Sequence, residues 1–263
     1  MGGEKEESPV VVVGASSGIG LRTALTLAEA GRPVVAAARA SERLAALRKR
    51  AELQQLPLVT RTVDVTSAPS VEELFADLPL AGCVIVTGRN LSRQLVRRPR
   101  DPAARDWARH PEDEWREVID LCLTGTFLVG REAAAALARR NRGGVLVTVA
   151  SSTWRGSWGQ SAYSAAKAGV ISLTRSWALE LADYGIRVVC VAPGVVDGAA
   201  LRTKTAARPA HAEYMERLRG QVPLRRFATE NEVAATIVHA IDNGYMTGNV
   251  LEVDGGGFPG RIA

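Results

Sequence analysis

Tyr163 and Lys167 stand four residues apart in Tyr163-Ser164-Ala165-Ala166-Lys167. A helix over 160–182 puts both on one face, where an ammonium can act on a phenol. Tyrosine ionises at about pH 10, and a fixed cation close by favours the phenolate and lowers that value. The pair therefore reads as a proton-transfer pair, with a surface tyrosine beside a solvated lysine as the bland alternative. Just upstream, Gly144-Val145-Leu146-Val147-Thr148-Val149-Ala150 reads as a buried strand with Ser151 at its end. A hydroxyl there can hydrogen-bond a substrate carbonyl while the tyrosine protonates its oxygen. Ser152 is the alternative to Ser151.

Such a trio needs a scaffold, and the start of the chain supplies one. Val10 to Val13 form a continuous β-branched run, as a parallel strand buried on both faces does. It leads into Gly14-Ala15-Ser16-Ser17-Gly18-Ile19-Gly20. Glycines let the backbone turn sharply and approach a pyrophosphate, and a helix over 19–30 points its N-terminus at that charge. Gly14, Ser16, Ser17, Gly18 and Ile19 are thus candidate cofactor-binding residues. A second strand over 33–38 ends in Ala38-Arg39, where an enzyme using NAD places a carboxylate for the ribose 2′-hydroxyl. Without that carboxylate a 2′-phosphate meets no repulsion, and the Arg39 guanidinium offers it a charge-assisted fork. This points to NADP(H), against the alternative of a solvated loop arginine. Helices over 41–55 and 67–77 flank a strand over 58–63, and a further strand runs over 82–87.

The glycine-rich turn, the Tyr163/Lys167 pair and a Pro193-Gly194 break after the strand over 187–192 together resemble the short-chain dehydrogenase/reductase family, from about residue 9 to 257. That resemblance implies further assignments. Asp64 and Val65 match the pair that cradles the adenine, although Asp64 reads equally as a turn residue. Gly88 closes the stretch at the end of the central strand. Pro193, Gly194 and Val196 match the loop on the nicotinamide side, with the Val196 backbone at the carboxamide. Lys167 would also hold the nicotinamide ribose. The helix over 111–140 and the one carrying Tyr163 pack against a twofold mate in similar proteins, which implies a homotetramer or dimer.

Three positions depart from the family pattern. Val86-Thr87-Gly88 stands where an Asn-Asn-Ala-Gly run is common, so another contact must brace the central strand. Cys122 occupies the place of an asparagine that holds a water linking the lysine to solvent, which weakens the expected proton relay. Gly198 replaces a threonine after the Pro-Gly break. These losses motivate a reading from another class, a nucleotide-binding scaffold or sensor with little turnover, against which the retained serine, tyrosine and lysine speak.

The chain of 263 residues, 46% hydrophobic, suits one α/β domain with a doubly wound parallel sheet of about seven strands, preceded by a disordered tail over 1–8. The polar start and the absence of a long apolar run predict a cytoplasmic protein with no membrane partner. Cys83, Cys122 and Cys190 lack metal-ligand spacing and suit a reducing compartment, with no disulfide and no metal. The net charge of +5 is spread along the chain without an aromatic-basic motif, so no nucleic-acid partner is expected.

Two segments bear on substrate. Residues 89–109 carry Arg89, Arg93, Arg97, Arg98, Arg100, Arg105 and Arg109, read either as a rim attracting an acyl-CoA, a carrier arm or a carboxylate, or as a solvated basic loop. Residues 198–223 read as a lid over substrate. Thr229-Glu230-Asn231-Glu232 is a capping box that opens a helix to about 243, and a last strand over 249–253 completes the sheet. The expected activity is NADPH-dependent reduction of a ketone, with Ser151, Tyr163 and Lys167 as its catalytic residues. The alternative within the family is a hydroxyacyl-thioester dehydrogenase, which Gln221-Val222-Pro223 resembles.

Overall fold

The computed structural model describes residues 8–39, 41–99, 101 and 106–257. The expected tail lies almost wholly outside these, but Ser8, assigned to it, is held by the Arg140 guanidinium at 2.8 Å.

In chain order the elements are β1 (Val10–Val13), α1 (Gly18–Glu29), β2 (Val34–Ala38), α2 (Glu42–Leu53), β3 (Leu58–Thr62), α3 (Ala68–Phe75) and β4 (Gly82–Ile85), then β5 (Val96–Arg97) and β6 (Ala108–Arg109). Next come α4 (Glu112–Ile119), a π-helical turn (Asp120–Thr124), α5 (Gly125–Arg140), β7 (Gly144–Val149), α6 (Ser161–Glu180) and β8 (Ile186–Pro193). The chain closes with α7 (Ala199–Ala206), α8 (Pro209–Gln221), α9 (Glu230–Asp242) and β9 (Val250–Val253). The order β3-β2-β1-β4-β7-β8-β9 forms a seven-stranded parallel sheet. This is the doubly wound Rossmann-type arrangement expected from the sequence.

The valine run of β1 shows why both faces are covered. Alternate residues point to opposite sides of a strand. Val10 and Val12 join the core layer of Leu25, Val233 and Ile237 from α1 and α9. Val11 and Val13 join the layer of Val71, Phe75, Val129 and Leu137 from α3 and α5. Strands of a parallel sheet wound in this way open a crevice beyond their carboxyl ends, where the order reverses between β1 and β4. The glycine-rich turn, Thr87-Gly88, Ser151 and Gly194 all follow the ends of strands on that side.

The helix expected over 111–140 is interrupted by the π turn, where the Gly125 N–H bonds the Asp120 carbonyl. Its span, Glu112–Arg140, is long and apolar enough to cross a membrane by length and composition, yet half of its apolar stretch is buried in the fold. The segment over 89–109 is not wholly irregular, since β5 and β6 pair antiparallel as a short hairpin. Arg100 and Arg105 lie outside the described residues. The segment over 198–223, expected to be a lid, contains two helices, α7 and α8.

The capping box of α9 is present in both directions. Glu232 N–H donates to Thr229 Oγ1, and Thr229 N–H donates to the Glu232 carboxylate. Hydrogen bonds from Arg226 first, and then from Thr229, hold the Glu232 carboxyl at about 2. A depressed carboxylate stabilises the fold above its unfolded value, and that contribution is lost as pH falls through the folded one. Glu232→Gln should therefore flatten the acid limb of the stability curve between about pH 4 and 2. Acid titrations of equal steepness for the two proteins would show that the box adds nothing to folding.

Candidate active site

Val86 is why residue 14 must be glycine. Gly14 has φ +91°, and a β-carbon there would lie 2.0 Å from the Val86 carbonyl oxygen. The turn delivers Ser17 as N-cap of α1, its hydroxyl making no cap bond and no acidic residue following in the first turn. Free N–H groups and an uncompensated helix dipole fit a pyrophosphate. Ser16, Gly18 and Ile19 are partly exposed in the same turn.

Arg39 is exposed just past β2, close enough that its charge helps to lower the Asp64 carboxyl. The larger causes of that shift are hydrogen bonds from the Thr66 hydroxyl, at 2.7 Å, and the Thr66 N–H, at 3.0 Å. Asp64 is thus engaged as a turn residue. Val65 is buried, with a methyl 2.9 Å from where a β-carbon on Gly125 would be, so it packs against the start of α5.

The catalytic candidates converge. Lys167 is 2% exposed, and its Nζ donates to the Thr87 carbonyl at 2.9 Å and the Val149 carbonyl at 2.8 Å, which ties α6 to the ends of β4 and β7. Ammonium has three donors, so one stays available. Gly88 sits against this nitrogen, 3.3 Å from where its β-carbon would be. Lys167 Nζ lies 5.7 Å from the centroid of the Tyr163 ring. Ser151 Oγ accepts from Thr153 Oγ1 at 3.0 Å, and Ser151 and Tyr163 line the same cavity.

One electrostatic expectation is corrected. Burial, and then the Cys122 sulfur, push the Tyr163 phenol above its ordinary value, outweighing the Ser151 hydrogen bond that lowers it. The Lys167 ammonium, turned to two carbonyls, does not offset that burial. Burial also pushes the lysine's value down, with Cys122 and Cys190 acting the other way. A phenol in this setting keeps its proton at neutral pH and is poised as an acid.

The brace that replaces the family's asparagines is a threonine pair. Thr126 Oγ1 donates to the Cys122 carbonyl at 2.8 Å and lies 2.9 Å from Thr87 Oγ1. With its proton so used, Thr126 must accept from Thr87. The end of β4 is thereby fastened to the π turn, and the Cys122 thiol, fully buried, faces the Arg89 carbonyl at 3.7 Å. Thr126→Val keeps the shape but leaves the Thr87 hydroxyl without its acceptor, so a loss of about 1–3 kcal/mol is expected in urea unfolding. An unmoved midpoint would rule out the brace.

Beyond β8, Pro193 and Gly194 lead to Val196, which bridges Ala228 while Gly194 and Val195 line a cavity. At Gly198 the Glu230 carboxylate fills the space a side chain would take, with Oε1 2.5 Å from where a β-carbon would be. The cavity measures about 970 Å³, with Ser151, Ser152, Thr153 and Tyr163 among its lining residues and Tyr214, Met215 and Leu218 contributed by α8. Lys204, Arg208 and His211, from α7 and the start of α8, also line it, and no local sequence pattern marks them.

Residues 14–257 match a family model described as enoyl-(acyl carrier protein) reductase. A 3-oxoacyl-[acyl-carrier-protein] reductase of Thermotoga maritima is 30% identical over 94% of this chain and 96% of its own length. A hydroxy-methyl-oxo-hexahydroindene-carboxyl-CoA reductase of Mycobacterium tuberculosis is 37% identical over 93% of this chain and 90% of its own. Among solved structures, a point variant of actinorhodin polyketide ketoreductase with NADPH superposes with a TM-score of 0.82 at 28% identity, covering 97% of this chain and 98% of that one. A 3-hydroxyacyl-CoA dehydrogenase type-2 from Mycobacterium avium gives 0.80 at 30% identity, covering 96% of each chain.

Proposed function

The chain belongs to the short-chain dehydrogenase/reductase family, oxidoreductases that act on CH–OH and C=O groups with a nicotinamide cofactor, and from that premise we propose that it reduces a ketone to an alcohol with NADPH. The observation that carries this reading is the meeting of Ser151 and Tyr163 at one cavity, with Lys167 buried and its Nζ 5.7 Å from the centroid of the Tyr163 ring. Gly14, Ser16, Ser17, Gly18 and Ile19 would hold the pyrophosphate, Arg39 the 2′-phosphate, and Val65, Gly88 and Val196 the flanking parts of the nucleotide. Bound there, the cofactor supplies the hydride.

The residues of the chain do the rest. Ser151 donates to the ketone oxygen and fixes it beside the phenol. Tyr163 delivers its proton as negative charge grows on that oxygen, which general acid catalysis rewards by about 10²–10⁴-fold. The third donor of Lys167 would hold the nicotinamide ribose, and its cation would stabilise the phenolate left after transfer. Trp115, Phe127 and Leu179 are 39%, 42% and 83% exposed on α4, α5 and α6, which supports burial of this face against a second copy.

The acyl-carrier and CoA substrates named for the relatives favour a thioester-linked ketone over a free one. Oxidation of NADPH and of NADH in the presence of 3-oxoacyl thioesters and simple ketones tests the reading. Turnover faster with NADPH is the expected result. Tight NADPH binding with no turnover on any carbonyl would instead favour a nucleotide-binding sensor.

A further inference from the structure

We propose that the cavity rim is an oxyanion subsite, formed by Arg97 on one side and Lys204 and Arg208 on the other, which holds the negatively charged far end of a long ketone substrate while its carbonyl lies at Tyr163. This deepens the ketone-reductase reading and rests on it.

Charge balance is the first support. Four of the lining side chains are cationic, Arg93, Arg97, Lys204 and Arg208, and Glu114 is the one carboxylate among the lining residues. Glu114 is taken by Arg93 at 2.6 Å. Among the described residues Arg97, Lys204 and Arg208 form no ion pair, so three cations face one cavity without compensation.

Their origin is the second. Arg97 comes from the β5–β6 hairpin, Lys204 from α7 and Arg208 from the residue that caps α8. Solvated arginines spread along an arginine-rich chain have no reason to meet at one opening. Lys204 and Arg208 also meet at His211, where burial first and then these two charges hold the imidazole below its ordinary value. A neutral imidazole leaves the charge of the rim to the three cations.

The polarity of the cavity is the third. All three cations are exposed, whereas the hydroxyls of Ser151, Ser152 and Thr153 line the cavity with the phenol and the apolar Met215 and Leu218 are buried. An anion at the rim keeps part of its hydration, so its desolvation costs little while the attraction steers it inward. A volume of about 970 Å³, shared with the nicotinamide, is at the upper end for a ligand site, and its lining reaches from Tyr163 to Arg97, Lys204 and Arg208. The fitting substrate is an amphiphile with a reducible carbonyl at one end and a phosphate or carboxylate at the other.

Three substrates with the same 3-oxoacyl group separate the sources of that charge: the CoA thioester, the uncharged pantetheine thioester, and a 3-oxo ester ending in a free carboxylate. For CoA, kcat/KM should exceed that for pantetheine by about tenfold or more, and added salt should erode the advantage. Arg97→Ala, Lys204→Ala and Arg208→Ala should each lower the CoA value and leave the pantetheine value unchanged. The same pattern on the carboxylate ester alone would keep the subsite and assign it to a carboxylate. Equal rates on charged and uncharged esters, or an advantage that survives all three substitutions, would overturn the subsite while leaving the reductase reading intact. Should no ester be turned over, the reductase reading fails instead. The subsite is then decided by titrating 4′-phosphopantetheine against pantetheine with NADP⁺ present, where equal affinities would refute it.

Discussion

Tyr163→Phe is expected to bind NADPH as the unaltered chain does and to lose about 10²–10⁴-fold in ketone reduction. The ring packs with Cys122, Ala162 and Ala166, contacts that phenylalanine keeps. Only the hydroxyl goes, and with it the proton donor and the Ser151 hydrogen bond. Cofactor fluorescence titration and steady-state rates measured on one preparation separate the two effects. The raised phenol also sets a pH dependence. An acid whose value lies above its ordinary one stays protonated to higher pH, so Tyr163 should impose no loss of reduction below about pH 10. Oxidation of the alcohol needs the phenolate and should rise with pH across the same range. A Tyr163→Phe variant within a few-fold of the original rate, or a reduction limb already falling through neutrality because of this residue, would remove Tyr163 from the mechanism.

How much of this was legible follows from where each signal lies in the chain. The valine run of β1, the turn of Gly14 to Gly20 and the Thr229/Glu232 box are local patterns in sequence; the box folds on its own neighbours, and the run and the turn show their residue types before their distant partners, β2, β4 and Val86, are known. Tyr163 and Lys167 share a helical face through their spacing. Contacts between distant elements were not legible. Two-residue strands such as β5 and β6 show no period, so the hairpin that lifts Arg97 to the rim reads as loop. The π turn depends on one backbone bond slipping to a carbonyl five residues back. Thr87 and Thr126 are ordinary residues in sequence and become a brace only when β4 and α5 meet. The direction of the Tyr163 shift was not legible because the spacing shows a cation nearby but not how deeply the fold buries the phenol.

Arg39→Ala should weaken NADPH by roughly ten- to a hundredfold and leave NADH almost untouched, since a hydrogen bond to a charged group contributes about 1.5–3 kcal/mol. Its surroundings favour this role. Arg39 is exposed directly after β2, where a dinucleotide's ribose is read, and Ala38 brings no carboxylate to repel a phosphate. The neighbouring acid does not compete strongly, because the Asp64 carboxylate already accepts two hydrogen bonds from Thr66. Exposure has a cost, however. Salt screens a surface guanidinium, so the effect should be largest at low ionic strength and shrink as salt is added. Ala38→Asp supplies the reverse control. A carboxylate at the end of β2 would accept from a ribose 2′-hydroxyl and repel a 2′-phosphate, shifting preference toward NADH without touching Tyr163 or Lys167. Dissociation constants for both cofactors, measured for the original chain and the two variants at two salt concentrations, decide the matter. If Arg39→Ala weakens both cofactors equally, the guanidinium reads a feature common to the two, and the preference for NADPH must come from elsewhere in the groove.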